Sequence, residues 1–298
     1  MAQAAELISP DPAAGEATGF ASAAHPRPPA ASSAVRRGEH ACCRLTHVRD
    51  AERLSARFVY DGLQLGHRVM CLSDDGPRPG REDVEAYSAT EFFLREGQFD
   101  VDRTLASLAD ALAGAVRDGY RGVSVTADMS WVLSGGARWE DVVEYEQRLA
   151  AIGEDGTLRM LCRYEEIPLT AGAVQRVRAA HDLEISPELA PIGRAADLAG
   201  ARVLRNGALR LAGELDCECA GTLADVLGAD LDRELRLDLA DLRFVDVAGM
   251  RALRPKIGQL LSIAGASEPV RRLLSLMGWD TDPAIQVLES AGCWSAPS

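Results

Sequence analysis

The sequence predicts an α/β protein of two domains, the first built on a mostly parallel sheet with flanking helices. Three observations indicate this class. Short apolar runs of strand length, such as 69–72 and 122–126, alternate with longer segments that carry one apolar face. Strands and helices that alternate in this way form βαβ units and parallel sheets. The length of 298 residues suffices for two domains of ordinary size.

The first 36 residues predict a disordered tail. They are rich in alanine, proline, serine and glycine and show no periodic apolar face. Five prolines between Pro10 and Pro29 would interrupt any helix. We therefore place the start of the first folded domain at residue 37.

The first domain, 37–185, is expected to hold most of the alternating elements. We predict strands over 41–45, 69–72, 122–126 and 157–164, and helices over 50–65, 102–118, 139–152 and 171–181. Asp50 is expected to cap the first helix and Gly66 to end it. The segment 73–80 is a loop by composition, followed by a short helix over 82–87 and an extended piece over 91–94. Residues 186–200, which include Pro187, Pro191 and Gly193, form the predicted linker.

The second domain, 201–298, is predicted from the stretch 213–253. A strand ends at Gly213-Glu214-Leu215-Asp216, and a helix follows with leucines and a valine at helical spacing on one face. Leucines then alternate with polar residues over 235–239, which is typical of a half-buried strand. Asp246 stands where this strand gives way to a helix, with small residues in its first turn.

This order of elements and these residues resemble the STAS domain, the fold of anti-sigma-factor antagonists, over 201–287. That family carries Gly-Glu-Leu-Asp on an early strand and Asp-Ser-Ser-Gly at the start of its second helix. Here the first motif is intact and the second reads Asp246-Val247-Ala248-Gly249. The resemblance implies a surface that binds an anti-sigma factor with a GHKL-type kinase fold. We expect that surface to comprise six residues: Asp216, Asp246, Val247, Ala248, Gly249 and Met250.

The first domain is similar to the MEDS domain over 38–185. The residues that carry the similarity are His40, the glycines at 62 and 66, and the segments 126–131, 144–146 and 161–164. The family is a sensory module of RecA/KaiC-like fold found in methanogens, methylotrophs and actinobacteria. The resemblance therefore implies a sensor, with a small molecule as its input.

A RecA-like fold raises the question of nucleotide hydrolysis. The phosphate-binding loop needs closely spaced glycines and a lysine for the β- and γ-phosphates. The loop after the strand at 69–72 has neither in that spacing, and the chain contains no lysine before Lys256. No serine–histidine–aspartate or cysteine–histidine arrangement can be argued from the spacing either. We therefore expect neither an enzyme nor a bound cofactor, although a nucleotide bound without turnover stays open.

Four residues are candidates for contact with the sensed ligand. His40 matches the opening histidine of the family, and Asp74 and Asp128 lie at the predicted carboxyl ends of strands, where α/β sheets hold ligands. Trp131 could form part of a lid or aromatic wall. The alternatives are ordinary ones, because the two aspartates could serve as loop and cap residues and Trp131 could cover the core.

The cysteines do not predict a metal site. His40, Cys42, Cys43 and His47 lie close in sequence, but neighbouring residues on a strand point to opposite faces and rarely serve one metal ion. Cys217 and Cys219 have no second pair. Seven scattered cysteines in a chain of this size are typical of reduced cytoplasmic thiols.

Charge and hydropathy exclude two classes of partner. A formal net charge of −13 argues against a nucleic-acid-binding surface, which needs basic residues to neutralise phosphates. No apolar run approaches the ~20 residues that a membrane span needs, and the N-terminus lacks the pattern of a secretory signal.

These observations predict a cytoplasmic, non-enzymatic signalling protein whose sensor module controls a STAS module. The alternative is a ligand-binding or enzymatic α/β domain in which the STAS module serves only as an oligomerisation scaffold.

Overall fold

The computed structural model describes residues 34–45, 48–74, 84–152, 155–165, 170–189, 198–229, 233–290 and 294. The greater part of the predicted tail, His47 and most of the predicted linker therefore lie outside the described residues. None of the helices within these ranges is both long and apolar enough to cross a lipid bilayer.

The first half alternates strands and helices along the chain. In order these are β1 (His40–Leu45), α1 (Val48–Gln64), β2 (Arg68–Leu72), β3 (Val84–Tyr87), α2 (Ala89–Phe93), β4 (Leu94–Arg95), β5 (Gln98–Phe99), α3 (Val101–Arg117), β6 (Val123–Asp128), α4 (Trp139–Ile152), β7 (Leu158–Glu165), α5 (Ala171–Ala179) and β8 (Leu183–Ile185). Short 3-10 helices follow β6 and β8.

The second half has the same alternation. Its elements are β9 (Leu198–Val203), β10 (Leu209–Leu215), α6 (Ala220–Ala229), β11 (Glu234–Val245), α7 (Val247–Ala252), β12 (Leu260–Ala264), α8 (Glu268–Leu276) and β13 (Ile285–Leu288).

Within the described residues, one sheet of eleven strands runs through both halves. Its order is β13-β12-β11-β10-β9-β8-β1-β7-β6-β2-β3, and β4 and β5 form a separate hairpin. The described pairings within the large sheet are parallel except at β9, which runs antiparallel to both β8 and β10. The predicted α/β class with a mostly parallel sheet is confirmed.

The two halves meet where β8 pairs with β9. Leu183 faces Val203 and Ile185 faces Ala201 in this ladder, and the Ser186 amide donates to the Gly200 carbonyl at 3.0 Å. The last three residues of the predicted linker thus belong to β9. Because backbone hydrogen bonds cross this boundary, the halves are connected by strand pairing as well as by the continuous chain.

Two short elements were predicted wrongly. The expected helix over 82–87 is strand β3 from Val84 onward, because Val84 pairs in parallel with Val69 at the edge of the sheet. The expected extended piece at 91–94 is mostly helix α2, since the Ser88 hydroxyl accepts from the Glu91 amide at 3.0 Å. This is the Ser-x-x-Glu pattern of a helix start. Tertiary strand pairing sets the conformation of the first segment, and a helix cap that the sequence prediction did not consider sets that of the second.

The start of the first helix also differs from the prediction. Helix α1 begins at Val48, so Asp50 lies inside it and is not its cap. The other predicted helices agree well, and α4 spans the predicted 139–152.

The sheet separates two apolar layers in the first half. Cys42 packs in the cluster that contains Met70, Leu108 and Met160, whereas Cys43 packs in the cluster with Phe58 and Leu161. The two cysteines therefore point to opposite faces, as the strand geometry predicts.

A buried ionic network joins the halves beside the strand seam. The Nη1 of Arg210, a residue that is 1% exposed, donates to the Glu39 carboxylate at 2.7 and 2.9 Å and to the Ala34 carbonyl at 3.0 Å. Its Nε donates to Asp238 at 3.2 Å. Arg36 adds bonds to Asp238 and Asp241 at 3.2 and 2.7 Å. Residues 34–36, placed in the tail by the sequence, thus pack against the second half.

We predict that Arg210→Met destabilises the whole chain by about 3–5 kcal/mol. Methionine fills much of the space but leaves the Glu39 and Asp238 carboxylates without their shared cation, and uncompensated buried charge is costly. Urea unfolding measures the loss. Arg205 is exposed on the turn before β10, so Arg205→Met is the matched control, with a change within about 0.5 kcal/mol. Equal effects of the two substitutions would contradict the role given to Arg210.

Candidate functional site

Asp246 organises the start of α7 in the second half. Its Oδ1 accepts from the Gly249 amide at 2.7 Å, which caps the helix, and its Oδ2 accepts from the Cys217 amide at 3.0 Å. The Asp246 amide donates to the Leu215 carbonyl. One carboxylate therefore fixes both the helix start and the turn that precedes α6.

Asp216 has a similar local role in that turn. Its Oδ1 accepts from the amides of Glu218 and Cys219 at 2.9 and 3.3 Å. Asp216 and Asp246 thus lie on neighbouring turns at one end of the parallel strands β10 and β11. The structure brings these two predicted residues together.

The other four predicted contact residues divide between surface and core. Val247 is 52% exposed and Ala248 is half-buried. Gly249 and Met250 are buried, and a Cβ on Gly249 would lie 2.6 Å from the Leu215 carbonyl oxygen. Gly249 and Met250 therefore hold α7 against β10, and the structure gives them no face toward a partner.

Phe244 is a surface residue that the sequence analysis missed. Phe244 lies two residues before Asp246 and is 49% exposed. In the sheet it pairs in register with Glu214 of β10. We define the α7 surface as Phe244, Val247 and Ala248 together with Asp216, Glu218 and Asp246. It has an apolar centre and acidic neighbours. The apolar residues between Leu242 and Val245 would be assigned to the core from sequence alone. Only the packing of the strand shows that the Phe244 side chain is exposed to solvent.

The candidate ligand residues of the first half do not form one site. His40 is the first residue of β1, whereas Asp128 is the last residue of β6 and Asp74 follows the end of β2. These strands all run in the same direction. His40 therefore lies at the amino-terminal end of the strands, and the two aspartates lie at the carboxyl-terminal end.

Both aspartates have structural partners. The Asp74 carboxylate accepts from the hydroxyls of Ser88 and Thr90 at 2.5 Å and from the Thr90 amide. Burial alone would raise the pKa of Asp74, but these hydrogen bonds lower it. Asp128 accepts from the Ser130 amide at 2.9 Å at the start of a 3-10 helix. Each residue shapes a turn after its strand.

Trp131 belongs to the aromatic core of the first half. It is 1% exposed and stacks on Phe93 with ring centroids 4.5 Å apart and planes inclined by 11°. Phe99 lies 4.7 Å from the same ring. The structure thus places Trp131 inside the domain, and not on a wall open to solvent.

His40, in contrast, lies in a buried cluster of chemically active side chains. Its Nε2 is 3.1 Å from Glu146 Oε2 and 3.2 Å from Cys162 Sγ. Glu146 Oε2 also lies 3.5 Å from Cys162 Sγ and 3.6 Å from His181 Nε2. We call His40, Glu146, Cys162 and His181 the four-residue cluster. Tyr164 donates to the other carboxylate oxygen at 2.5 Å.

Four separate elements supply the cluster. Cys162 on β7 pairs with Cys42, two residues after His40 on β1, so His40 and Cys162 are diagonal neighbours on one face of the sheet. Glu146 comes from α4 and His181 from the turn after α5. The turn is held by Asp182, whose side chain accepts from the His40 amide and whose amide donates to the His40 carbonyl.

The electrostatics of the cluster follow from its burial. Burial and the neighbouring His40 ring lower the pKa of His181 to about 3, so this imidazole is neutral at pH 7. Burial alone would raise the pKa of Glu146, but attraction to His181, the hydrogen bond with His40 and the bond from Tyr164 lower it. Because His181 is neutral at pH 7, the hydrogen bonds with His40 and Tyr164 are the contacts that favour the ionised carboxylate at that pH. Burial and Glu146 raise the pKa of the Cys162 thiol.

Three of the four cluster residues lie in segments that carry the family resemblance, but nothing in the sequence indicates that they are in contact. Glu146 and Cys162 lie inside the segments 144–146 and 161–164, and His40 is the opening histidine. His181 was assigned only as the end of a helix. The four residues are separated by up to 141 positions, so only the fold brings them together.

Comparisons with known proteins agree with the order of the two halves. The family model described as MEDS, the methanogen/methylotroph DcmR sensory domain, matches residues 39–182, and the model described as Mlab, STAS domain, matches 199–289. No curated protein matches the chain. Among solved structures, the flagellar accessory protein FlaH from Methanocaldococcus jannaschii aligns at a TM-score of 0.37 and 11% identity, over 57% of this chain and 79% of that one. A similarity this low transfers no property of that protein.

We predict that Asp246→Ala lowers the free energy of unfolding by about 1–2 kcal/mol, because the start of α7 loses its cap. Asp246→Asn should keep most of that stability, since asparagine caps as well as aspartate. Thermal unfolding of the full chain checks both. The control is Asp225→Ala, at an exposed position within α6. Equal losses for the alanine and asparagine variants would show that capping is not what Asp246 contributes.

Proposed function

Because the chain carries a MEDS sensory domain followed by a STAS domain, we propose that it is a non-enzymatic, cytoplasmic anti-sigma-factor antagonist. In this proposal the first half senses a small-molecule input. The α7 surface of the second half binds an anti-sigma factor with a GHKL-type kinase fold and thereby regulates transcription that depends on a sigma factor. The observation that carries the proposal is that Phe244 and Val247, which flank the motif residue Asp246 in the chain, are each about half exposed.

The chemistry of the α7 surface suits a protein partner. Two apolar side chains that are about half exposed give a centre to desolvate, and Asp246, which lies between them in the chain, bonds to the turn that contains Asp216. Interfaces concentrate binding energy in such an apolar centre and use the charged rim for orientation and rate of association. We infer a partner surface with an apolar pocket and basic neighbours.

The first turn of α7 also bears on regulation. The resemblance implies that the antagonist family accepts phosphate on a serine two residues after the motif aspartate, and that position is Ala248 here. The stretch 223–261 contains no serine, threonine or tyrosine. A phosphate would add about −1.5 to −2 charge beside two carboxylates. This chain lacks the acceptor for that switch.

The connection between the halves offers another means of control. The β8–β9 ladder and the buried ion pairs of Arg210 with Glu39 and Asp238 connect the first half to the second half. A ligand could bias this connection only if it bound two arrangements of the halves with different affinity. We therefore propose control by the concentration of the antagonist or by ligand binding in the first half.

We predict that Val247→Glu weakens binding of the full chain to a purified GHKL-type anti-sigma factor by about tenfold or more. The substitution places a charge in the apolar centre, and loss of a central contact commonly has this size. Ala248→Asp should weaken binding in the same direction. Isothermal titration calorimetry measures both.

The matched control is Leu276→Glu, since Leu276 is an exposed apolar residue of α8 in the same domain. It should bind as the wild type does. Loss of binding in Leu276→Glu with normal binding in Val247→Glu would move the interface away from α7. Failure of the wild type to bind any such factor, together with self-association, would favour a scaffold role instead.

We also predict that the chain is not phosphorylated within 213–253 by its partner kinase. Incubation with the kinase and ATP should leave the intact mass unchanged in this segment, because Thr222 is its only hydroxyl-bearing residue. A control substrate with serine at the motif position, made by Ala248→Ser, tests whether the kinase is active. A phosphate adduct on the wild-type segment would contradict the prediction.

A further inference from the structure

The four-residue cluster has no part in the proposed partner surface, yet its donor atoms converge. His40 Nε2, Glu146 Oε2, Cys162 Sγ and His181 Nε2 lie within 4.8 Å of one another. The four residues are at most 6% exposed. A thiol, a carboxylate and two imidazoles in the core of a domain are expensive to desolvate unless each is paired.

Hydrogen bonding within the protein does not account for the position of the His181 ring. His181 Nδ1 lies 2.6 Å from the Val177 carbonyl oxygen, which can only accept, so Nδ1 carries the hydrogen. In the neutral ring, Nε2 then presents a lone pair toward the Glu146 carboxylate 3.6 Å away. Two electron-rich atoms face each other there, and Nε2 has no hydrogen-bond partner among the described residues.

Protonation of His181 would not repair this contact. A distance of 3.6 Å is too long for an N–H···O hydrogen bond. The protonated ring would also lie against His40, whose ring centroid is 3.9 Å away. A cation between the four atoms satisfies the lone pair of His181 and the charge of Glu146 at once.

We propose that the four-residue cluster binds one divalent transition metal ion, with zinc as the best match. Of the six pairs among these ligand atoms, four are 3.1, 3.2, 3.5 and 3.6 Å apart, and all six lie within 4.8 Å. Zinc bonds of about 2.0–2.3 Å in a tetrahedron place the ligand atoms roughly 3.3–3.8 Å from each other. Four of the six distances are therefore close to those of a zinc coordination shell, and a small contraction around the ion would bring the remaining pairs into range.

The donor types select the class of metal. Thiolate and imidazole favour zinc and its neighbours in the transition series, whereas magnesium and calcium require oxygen ligands. Cys162 would lose its proton to solvent as the metal binds. A dication with one thiolate and one carboxylate is neutral overall, which suits a buried site.

The surroundings hold the ligands as metal sites usually do. The Nδ1–H bond from His181 to Val177 fixes the tautomer that leaves Nε2 free for the metal. Tyr164 bonds to Oε1 of Glu146, which leaves Oε2 for the ion. With four protein ligands the site is closed, which is typical of a structural or regulatory metal and not of a catalytic one.

Metal binding would tie together β1, β7, α4 and the turn that leads into β8. His181 lies two residues before β8, the strand that pairs with β9 of the second half. An ion on His181 would therefore hold the turn next to the connection between the halves. This inference does not depend on the partner of the α7 surface.

The test uses the full chain, stripped with a chelator under reducing conditions and then titrated with cobalt(II) in place of zinc. We expect one cobalt ion per chain, with the visible bands of a tetrahedral site and a near-ultraviolet thiolate-to-cobalt band. Zinc should displace the cobalt and raise the melting temperature of the stripped protein. A wild-type chain that shows neither the bands nor the rise overturns the proposal.

Matched cysteine variants locate the site. Cys162→Ser should remove the near-ultraviolet band, whereas Cys42→Ser should keep it, because Cys42 is the buried neighbour of Cys162 in register and lies outside the cluster. Cys217→Ser controls for an exposed thiol. A band that persists in Cys162→Ser and disappears in either control places the metal elsewhere and refutes the proposal.

Two further substitutions test the other ligands with side chains of similar size, so that the fold is expected to be kept. Glu146→Gln and His181→Gln keep the size of the side chain and should weaken zinc affinity by at least about tenfold, as loss of a ligand or of its support does. Circular dichroism verifies the fold of each. Folded variants that bind zinc as tightly as the wild type would overturn the assignment of those residues as ligands.

Discussion

The guanidinium of Arg210 lies between the two halves, out of contact with water, and bonds to Glu39 of the first half and Asp238 of the second. Burial on its own would lower the pKa of Arg210, but the two carboxylates raise it, so the charge is retained. A charge buried in this way is tolerated only while its partners stay in place. The ladder between β8 and β9 continues the sheet across the same boundary. The strand ladder and the buried ion pairs therefore fix the position of the first half relative to the STAS domain, which a flexible linker would not achieve.

The first half places its active side chains inward. His40, Glu146, Cys162 and His181 meet beneath helices α4 and α5, on the same side of the sheet as the aromatic core around Trp131. The loops at the carboxyl ends of β2 and β6 instead use Asp74 and Asp128 to hold their own backbone. At the usual ligand-binding end of the α/β sheet, these two carboxylates are thus engaged in capping interactions, while the four-residue cluster lies toward the opposite end of the strands.

The second half exposes side chains of the α7 surface that we propose for the partner. Asp246 stabilises α7 through its cap and also lies on the surface that we propose for the partner. These two roles are compatible, since the cap fixes the geometry of the helix start and Val247 and Phe244 supply the exposed area. Gly249 allows the close approach of α7 to β10, where a side chain would collide with Leu215. A capped and closely packed helix start is a rigid element on which to present a binding surface.

The sequence by itself determined the α/β class, the two halves and most of the long helices, because periodic apolar positions and local caps act over a few residues. It also determined that Ala248 cannot accept phosphate. The strand β3, the continuous sheet and the Arg210 network were decided only by the tertiary structure, since each depends on partners far away in the chain. Phe244 reads as a core residue, and its exposure depends on which face of β11 is covered. The four-residue cluster is the clearest case, because His40 and His181 come from opposite ends of the domain and acquire their chemistry only where β1, β7, α4 and the turn before β8 bring them within 4.8 Å.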